Sequence, residues 1–430
     1  MNTYNFEQLK RHSHMREIFA EVLTIGDEIL YGQILDTNTK WISRELDDIG
    51  IKVRRKIAIG DKKQEILDAL DESLKRSDIV LITGGLGPTK DDITKKTLAE
   101  YFDMELELDP SALEDVEDIF RRFGKEVTEI NRQQAFLPEG CKKVKNERGT
   151  APGMWFEKGK KVVVSMPGVP FEMEAMMAKT ILPKLKKHFT LPVIVHKVIK
   201  TIGIGESWLA EEISDWEDNL PEHLALAYLP GKSQVRLRLT GVGEDRDILE
   251  TEMDQQIEAV LPTIKSYVYG FGDIQIEDAV GEMLKTRALK IATAESCTGG
   301  FLAHRLTSVP GSSEYYWGSV VSYHNDIKKG ALEVSDKTLD TYGAVSEETA
   351  TEMAVGVRKK FKTDIGISTT GIAGPDGGTE EKPVGTVWMA ISFGKNVVTR
   401  KIQLPGTRIL NIEYTAIHAL NFLRQTLDKQ

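Results

Sequence analysis

A serine, a thiol, a threonine and two glycines follow one another at Ser296-Cys297-Thr298-Gly299-Gly300. The apolar run Lys290-Ile291-Ala292 precedes them, and a helical pattern with Leu302 and Leu306 on one face follows. The segment Thr293 to Gly300 therefore reads as a strand, a tight turn and a helix start, where backbone N–H groups are left free. Such a turn can bind an anion, present a nucleophile, or do both. A serine nucleophile needs a base. The nearest histidines, His304 and His324, fall in a helix and a loop without an acidic partner at a recognisable spacing. Lys328 can serve if burial or neighbouring positive charge lowers its pKa from ~10.4. Tyr323, a few residues earlier, can relay the proton. Cys297 is the rival nucleophile, since thiols are intrinsically better ones. N–H groups at Thr298, Gly299 and Gly300, or at Gly371 and Gly374, can stabilise an oxyanion or a phosphate. Arg408, between a glycine turn and a helix start, suits a phosphate clamp. Each residue also has a plainer role. Ser296 can cap a helix, Tyr323 can pack at a strand end, Thr370 can satisfy one, and Lys328 and Arg408 can be solvated surface. Spacing alone leaves that choice open.

A second set of chemistry-bearing residues lies early in the chain. The run Phe19 to Ile25 ends in Gly26-Asp27-Glu28, and Asp78 to Thr83 ends in Gly84-Gly85-Leu86-Gly87-Pro88-Thr89-Lys90-Asp91-Asp92. Glycines let the backbone approach a ligand, and Asp27, Glu28, Asp91 and Asp92 offer oxygen ligands to a divalent metal. The plainer reading is that the carboxylates cap helices and the glycines make turns. Asp36-Thr37-Asn38 also reads as a helix cap. A third run, Lys161 to Ser165, ends in Met166-Pro167-Gly168-Val169-Pro170-Phe171-Glu172-Met173 and adds a loop at the same edge.

The elements that must position these residues alternate. Short apolar runs are separated by stretches with helical spacing, such as Trp41, Ile42, Leu46 and Ile49. That pattern predicts a doubly wound α/β sheet with its site at the carboxyl ends of the strands. Phe171 to Leu185 reads as a helix leading away from that sheet. In the middle, Val235, Leu237 and Leu239 alternate with Arg236, Arg238 and Thr240, as in a half-buried antiparallel strand of a small α+β module. Arg236 and Arg238 face solvent there, without the stacking aromatics that RNA recognition wants. Tyr267 to Asp273 reads as a linker. The last third alternates strand and helix again, through Asp364 to Thr370, Gly385 to Ile391 and a terminal helix with Ile412, Ala416 and Leu420.

Composition sets bounds on function. The 430 residues carry a net charge of −10, which argues against direct contact with nucleic acid or an anionic membrane. Two cysteines far apart give no disulfide framework or zinc site. No apolar run approaches the ~20 residues of a membrane span. Residues 1–14 are polar, do not resemble a secretory signal, and read as a leader with Met15 as an alternative start. A cytoplasmic location is expected.

Taken together, these motifs resemble the CinA family. Gly26-Asp27-Glu28-Ile29-Leu30, Asp36-Thr37-Asn38, the Gly84 to Asp92 loop and Met166-Pro167-Gly168-Val169-Pro170 are similar to its molybdopterin-binding-like domain, here residues 15–175. The middle, 176–265, is similar to its KH-like connector. Ala294-Glu295-Ser296-Cys297-Thr298-Gly299-Gly300, Tyr323 with Lys328, Gly343-Ala344-Val345-Ser346, Thr370 to Gly378 and Glu381 to Val387 look like its C-terminal domain, here 275–430. For that domain the resemblance implies nicotinamide mononucleotide deamidation without a cofactor. Ser296 would be the nucleophile, Lys328 the base with Tyr323 assisting, Thr370 a positioning group, and Arg408 near the phosphate. For the first domain it implies ADP-ribose pyrophosphate hydrolysis at Gly84, Gly85, Gly87, Asp91, Asp92 and Asn38. Asp27, Glu28 and Asp91 would hold a divalent metal (Mg, Mn or Co), with or without potassium. The expected partners are small nucleotides and a second copy of the chain. The rival expectation is a non-catalytic nucleotide- or molybdopterin-binding scaffold linked to competence or DNA damage.

Overall fold

The computed structural model describes residues 16–87, 89 and 92–429; the leader 1–14 and Asp91 lie outside them. The described chain divides into two compact units, one running up to residue 195 and including 241–251, the other comprising 196–240 and 252 onward.

The first unit is built on a six-stranded sheet. Its strands are β1 (Ile18–Ile25), β2 (Ile51–Ile59) and β3 (Ile79–Thr83), and, after a small β4 (Leu106–Leu108) and β5 (Phe136–Pro138) pair, β6 (Lys142–Val144), β7 (Gly153–Lys158) and β8 (Lys161–Met166). The order is β2-β1-β3-β8-β7-β6. β1 pairs in parallel with β2 and β3, and β3 with β8, while β7 and β6 add antiparallel strands. β3 is buried along its whole length, as a continuous Ile-Val-Leu-Ile run demands. Helices cover both faces, so two apolar cores form: one holds Ile42, Leu46 and Trp155, the other Ile66, Leu70 and Phe156. The helical stretch from Pro170 to His188 does not lead away from the sheet. Met173, Met176, Met177, Ile181 and Leu185 bury against it, and a π turn at Met177–Ile181 keeps that apolar face aligned.

In the middle of the chain, β9 (Val193–Ile202), β10 (Leu224–Gly231), β11 (Gln234–Gly243) and β12 (Val268–Phe271) form a sheet in the order β10-β11-β9-β12. Val235, Leu237 and Leu239 are buried, matching the alternation, but Thr240 is also buried, with its hydroxyl on the His196 ring. The expected linker at Tyr267 to Asp273 contains β12. Tyr269 within it, together with Ile202, joins the core of the C-terminal domain. Buried Arg424 donates to the carbonyls of Ser266 and Val268, tying the terminal helix to this strand.

The C-terminal sheet comprises β13 (Ile291–Glu295), β14 (Tyr316–Val321), β15 (Ile365–Gly371), β16 (Thr386–Phe393) and β17 (Asn396–Gln403), in the order β14-β13-β15-β16-β17. β13 lies between parallel β14 and β15 and is wholly buried. The 21-residue helix Arg408–Asp428 packs Ala416, Leu420 and Leu423 into the main core. Among the described residues no helix is long and apolar enough to cross a membrane.

Candidate active site

Parallel strands end at a common edge, so the turn after β13 meets the segments that follow β14 and β15. Ser296 sits one residue past β13, its N–H donating to the Thr369 carbonyl at 2.9 Å. Lys328 lies in the helix Asn325–Leu332, which starts just beyond β14. Its Nζ donates to Ser296 Oγ at 3.2 Å, to the Ser322 carbonyl at 2.8 Å and to the Tyr323 carbonyl at 3.3 Å. Lys328 is 1% exposed, and burial pushes its pKa below the ordinary lysine range. None of the ion pairs among the described residues includes it, so no carboxylate offsets that desolvation. A serine hydroxyl beside a lysine biased toward the neutral amine is a nucleophile–base pair in geometry and electrostatics.

Cys297 points the other way. It is buried in the domain core, and burial raises its thiol to about 12. A thiol held neutral in that way is a poor nucleophile. His324 is the helix cap before Lys328, its Nδ1 accepting from the Asp326 N–H. Both cysteines are free thiols.

The turn itself corrects two expectations. Gly299 and Gly300 adopt left-handed backbone angles, φ +60° and +98°, as the tight turn requires. The Gly300 N–H, however, donates to the carboxylate of Glu295 at 3.0 Å, as do those of Leu302 at 3.0 Å and Ala303 at 2.8 Å. The Gly299 N–H is taken by the Ser296 carbonyl. Glu295, fully buried, thus fills the helix start that looked open to a ligand anion. The N–H groups of Cys297 and Thr298 meet only the Cys297 sulfur, a weak acceptor, among the described residues. They flank the serine as an oxyanion hole would. The Thr298 hydroxyl pairs with Thr369 at 2.7 Å and braces the turn against β15. Glu295 was not singled out in sequence; its signal is a charged residue inside a strand otherwise made of small and apolar side chains.

Tyr323 differs from expectation in another way. Its hydroxyl accepts from Arg408 at 2.8 Å, and only its carbonyl meets Lys328. The ring is 61% exposed, so it forms part of the site's rim and does not sit between lysine and serine as a proton relay. Arg408 also donates to the Gly374 carbonyl at 2.7 Å, joining three segments. No carboxylate pairs with it among the described residues. It opens the helix Arg408–Asp428, whose cap residue Thr407 makes no side-chain cap. An uncapped helix start beside a guanidinium whose partners are neutral oxygens suits a phosphate. Thr370 is buried and donates to the Ala344 carbonyl at 2.6 Å, fixing the Gly343 to Ser346 segment. Gly371 ends β15 where a Cβ would press on the Thr386 carbonyl.

In the first unit, a cleft of about 620 Å³ opens where β1, β3 and β8 end, lined by Glu28, Asn38, Asp61, Gly84, Gly85, Gly87, Asp92 and Glu172 among others. Gly84, with φ +107°, lies too close to the Ile25 carbonyl for any side chain. Its N–H is engaged by the Met166 carbonyl, whereas those of Gly85, Leu86 and Gly87 have no backbone acceptor among the described residues. Asp92 accepts from the Thr89 N–H and hydroxyl as a turn cap while still lining the cleft. Asp27 does not line it, and is replaced there by Asp61, which accepts from the Asp27 N–H at 3.1 Å. Asp61 follows β2 in the Gly60-Asp61 turn, a position with no sequence signal beyond a strand end. Its pKa is raised, first by burial and then by the charges of Glu28, Asp27 and Asp92. Among the described residues no three His, Cys, Asp or Glu side chains gather closely enough to form a metal cage.

Residues 273–427 match the family model of the CinA C-terminal domain, 21–187 that of a probable molybdopterin binding domain, and 196–270 that of the damage-inducible protein CinA KH domain. A CinA-like protein of Cytophaga hutchinsonii is 54% identical, covering 95% of this chain and 98% of its own. One from Flavobacterium psychrophilum is 44% identical over 95% and 99%. A solved structure of the protein CinA from Thermoplasma acidophilum is 35% identical, covering 40% of this chain and 99% of its own, with a TM-score of 0.36.

Proposed function

The chain belongs to the CinA family, and on that premise we propose that its C-terminal domain is an amidohydrolase that converts nicotinamide mononucleotide to nicotinate mononucleotide and ammonia. The observation that carries the reading is Lys328 Nζ at 3.2 Å from Ser296 Oγ in a buried setting that depresses the lysine pKa. Ser296 Oγ bonds to the amide carbonyl carbon as neutral Lys328 takes its proton. The N–H groups of Cys297 and Thr298 hold the oxyanion. Lys328 returns the proton to the departing nitrogen, the C–N bond breaks and ammonia leaves. Water then adds to the ester, giving its proton to Lys328, which passes it to Ser296 Oγ as the C–O bond breaks. Arg408 and the open helix start beside it hold the phosphate.

The test is ammonia release from nicotinamide mononucleotide. Wild type should release it, and Ser296→Ala and Lys328→Ala should each lose about 10²–10⁴-fold or more. Because the working form is the neutral amine, kcat/KM should rise with pH through the depressed Lys328 pKa and level above it. A rise confined to the ordinary lysine range near ~10.4 would sink the base assignment. An absence of ammonia from wild type would favour the scaffold reading.

A second reading concerns the first unit, which we take to hydrolyse the pyrophosphate of ADP-ribose. It rests on the 620 Å³ cleft that combines free loop N–H groups with the carboxylates of Glu28, Asp61 and Asp92. Burial first, and then repulsion from Glu28, Asp27 and Asp92, raises the Asp61 pKa, and a cation would relieve that repulsion. Magnesium-type ions use one or two carboxylates and complete their shell with water and ligand phosphate, so an all-protein cage is not needed. Such an ion would neutralise charge on the pyrophosphate oxygens. Loss of ADP-ribose turnover on chelation, with recovery on adding magnesium or manganese, is the expected result; turnover indifferent to chelator overturns it.

A further inference from the structure

On the side of the N-terminal cleft formed by the β3 and β8 ends, three side chains each keep an oxygen without a hydrogen-bond partner among the described residues. Asn38 donates its Nδ2 to the Gly168 carbonyl at 2.7 Å, which fixes the amide and leaves Oδ1 as an acceptor; that oxygen is buried without a partner. Thr83, 1% exposed at the end of β3, has an equally unpartnered hydroxyl. Gly168 lies against Gly84, so these two residues belong to one corner of the cleft. Glu172, in the first turn after Gly168, completes it. The Glu172 carboxyl accepts from Asn146 Nδ2 at 2.6 Å, and Asn146 is itself held by the Ala151 carbonyl and the Arg148 N–H. Gly149 packs flush on that carboxyl, where a Cβ would collide with it. No cation pairs with Glu172 among the described residues, and burial raises its pKa. A half-buried carboxyl held by an oriented amide, with one oxygen left over, is an acceptor kept for a ligand.

We propose that Asn38 Oδ1, Thr83 Oγ1 and Glu172 form an acceptor corner that reads a pair of adjacent hydrogen-bond donors on the nucleotide bound in this cleft. The inference rests on the cleft being a nucleotide site, as in the second reading above, but not on which bond is broken there. Two ligand parts carry such a pair: the vicinal hydroxyls of a ribose, and the amino and ring N–H edge of guanine. Donor-poor analogues leave the buried acceptors unpaired, and sites of this kind reject such analogues strongly.

Binding to the full chain with magnesium present, by calorimetry, separates the two sources. One arm compares ADP with 2′,3′-dideoxy-ADP, the other GDP with IDP. We expect at least one pair to differ by roughly tenfold or more in Kd. Glu172→Gln, which puts a donor where the ligand's donor points, should erase that difference, and Thr83→Val should reduce it. A melting temperature within a few degrees of wild type in both variants excludes loss of folding. Equal Kd within both pairs, no binding of any of the four, or discrimination that survives both variants overturns the proposal. ADP-ribose turnover in the same preparations reports separately on the pyrophosphatase reading, since it can fail while discrimination in binding persists.

Discussion

The two sites are built from the same local grammar, a buried parallel strand, a glycine turn and a helix, yet they carry opposite charge. In the C-terminal site the nearby carboxylate, Glu295, turns into the protein and is consumed by the N–H groups of its own helix. What remains facing the site is the cation Arg408 and an amine, Lys328, biased toward its neutral form. In the N-terminal cleft the carboxylates of Glu28, Asp61 and Asp92 face outward and the glycine loop supplies N–H groups. The first arrangement suits an anionic substrate without a metal. The second suits an anion that brings a cation with it. What decides between them is the direction of a carboxylate, not the presence of the turn.

The sharpest way to break the comparison is a double dissociation. Chelation should abolish ADP-ribose turnover while leaving ammonia release unchanged within about twofold, whereas Ser296→Ala should do the reverse, with losses of about 10³-fold or more. If either treatment silences both reactions, the two sites are not independent.

Next in size is Arg408→Ala. It removes charge-assisted bonds of about 1.5–3 kcal/mol, so KM for nicotinamide mononucleotide should rise about 10- to 100-fold. Nicotinamide riboside, lacking phosphate, should be nearly indifferent. An equal effect on both compounds would mean that Arg408 only braces Tyr323 and Gly374.

Glu295→Gln tests the inward-turned carboxylate. One amide oxygen cannot serve three N–H donors, so at least one is stranded, at about 1–3 kcal/mol. Urea unfolding should show a loss of that size, together with a fall in kcat as the Ser296 turn loosens. A variant as stable as wild type would mean that the helix start has another partner to fall back on.

The smallest expected effect is that of Cys297→Ala. Removing a small buried side chain should cost about 1 kcal/mol of stability, with kcat within about threefold of wild type. Loss of activity at unchanged stability would make the thiol the nucleophile and overturn the roles of Ser296 and Lys328.

Much of the fold was legible in the chain. Apolar runs such as Asp78 to Thr83 and helical spacings such as Ile66, Leu70 and Leu74 depend on local period, and the elements formed where the period put them. In sequence β12 reads as a linker, because a four-residue strand with a glycine carries too little pattern; its place is set by pairing with β9 and by Tyr269 entering a distant core. The helix after Pro170 was read as departing because its many methionines say nothing about direction; the sheet face it covers does.

The candidate site divides along the same line. By itself the sequence determined the residue types, the strand–turn–helix at Ser296, the glycines that permit it, and the family. Tertiary structure alone decided that Lys328 is buried on Ser296, that the Tyr323 hydroxyl serves Arg408, that Glu295 closes one helix start while the start at Arg408 stays open, and that Asp61, not Asp27, enters the acidic cleft. The physical reason is that each of these is a question of which polar group satisfies which. A donor or acceptor is engaged by whatever the fold brings within about 3 Å, and those neighbours lie on separate strands and helices.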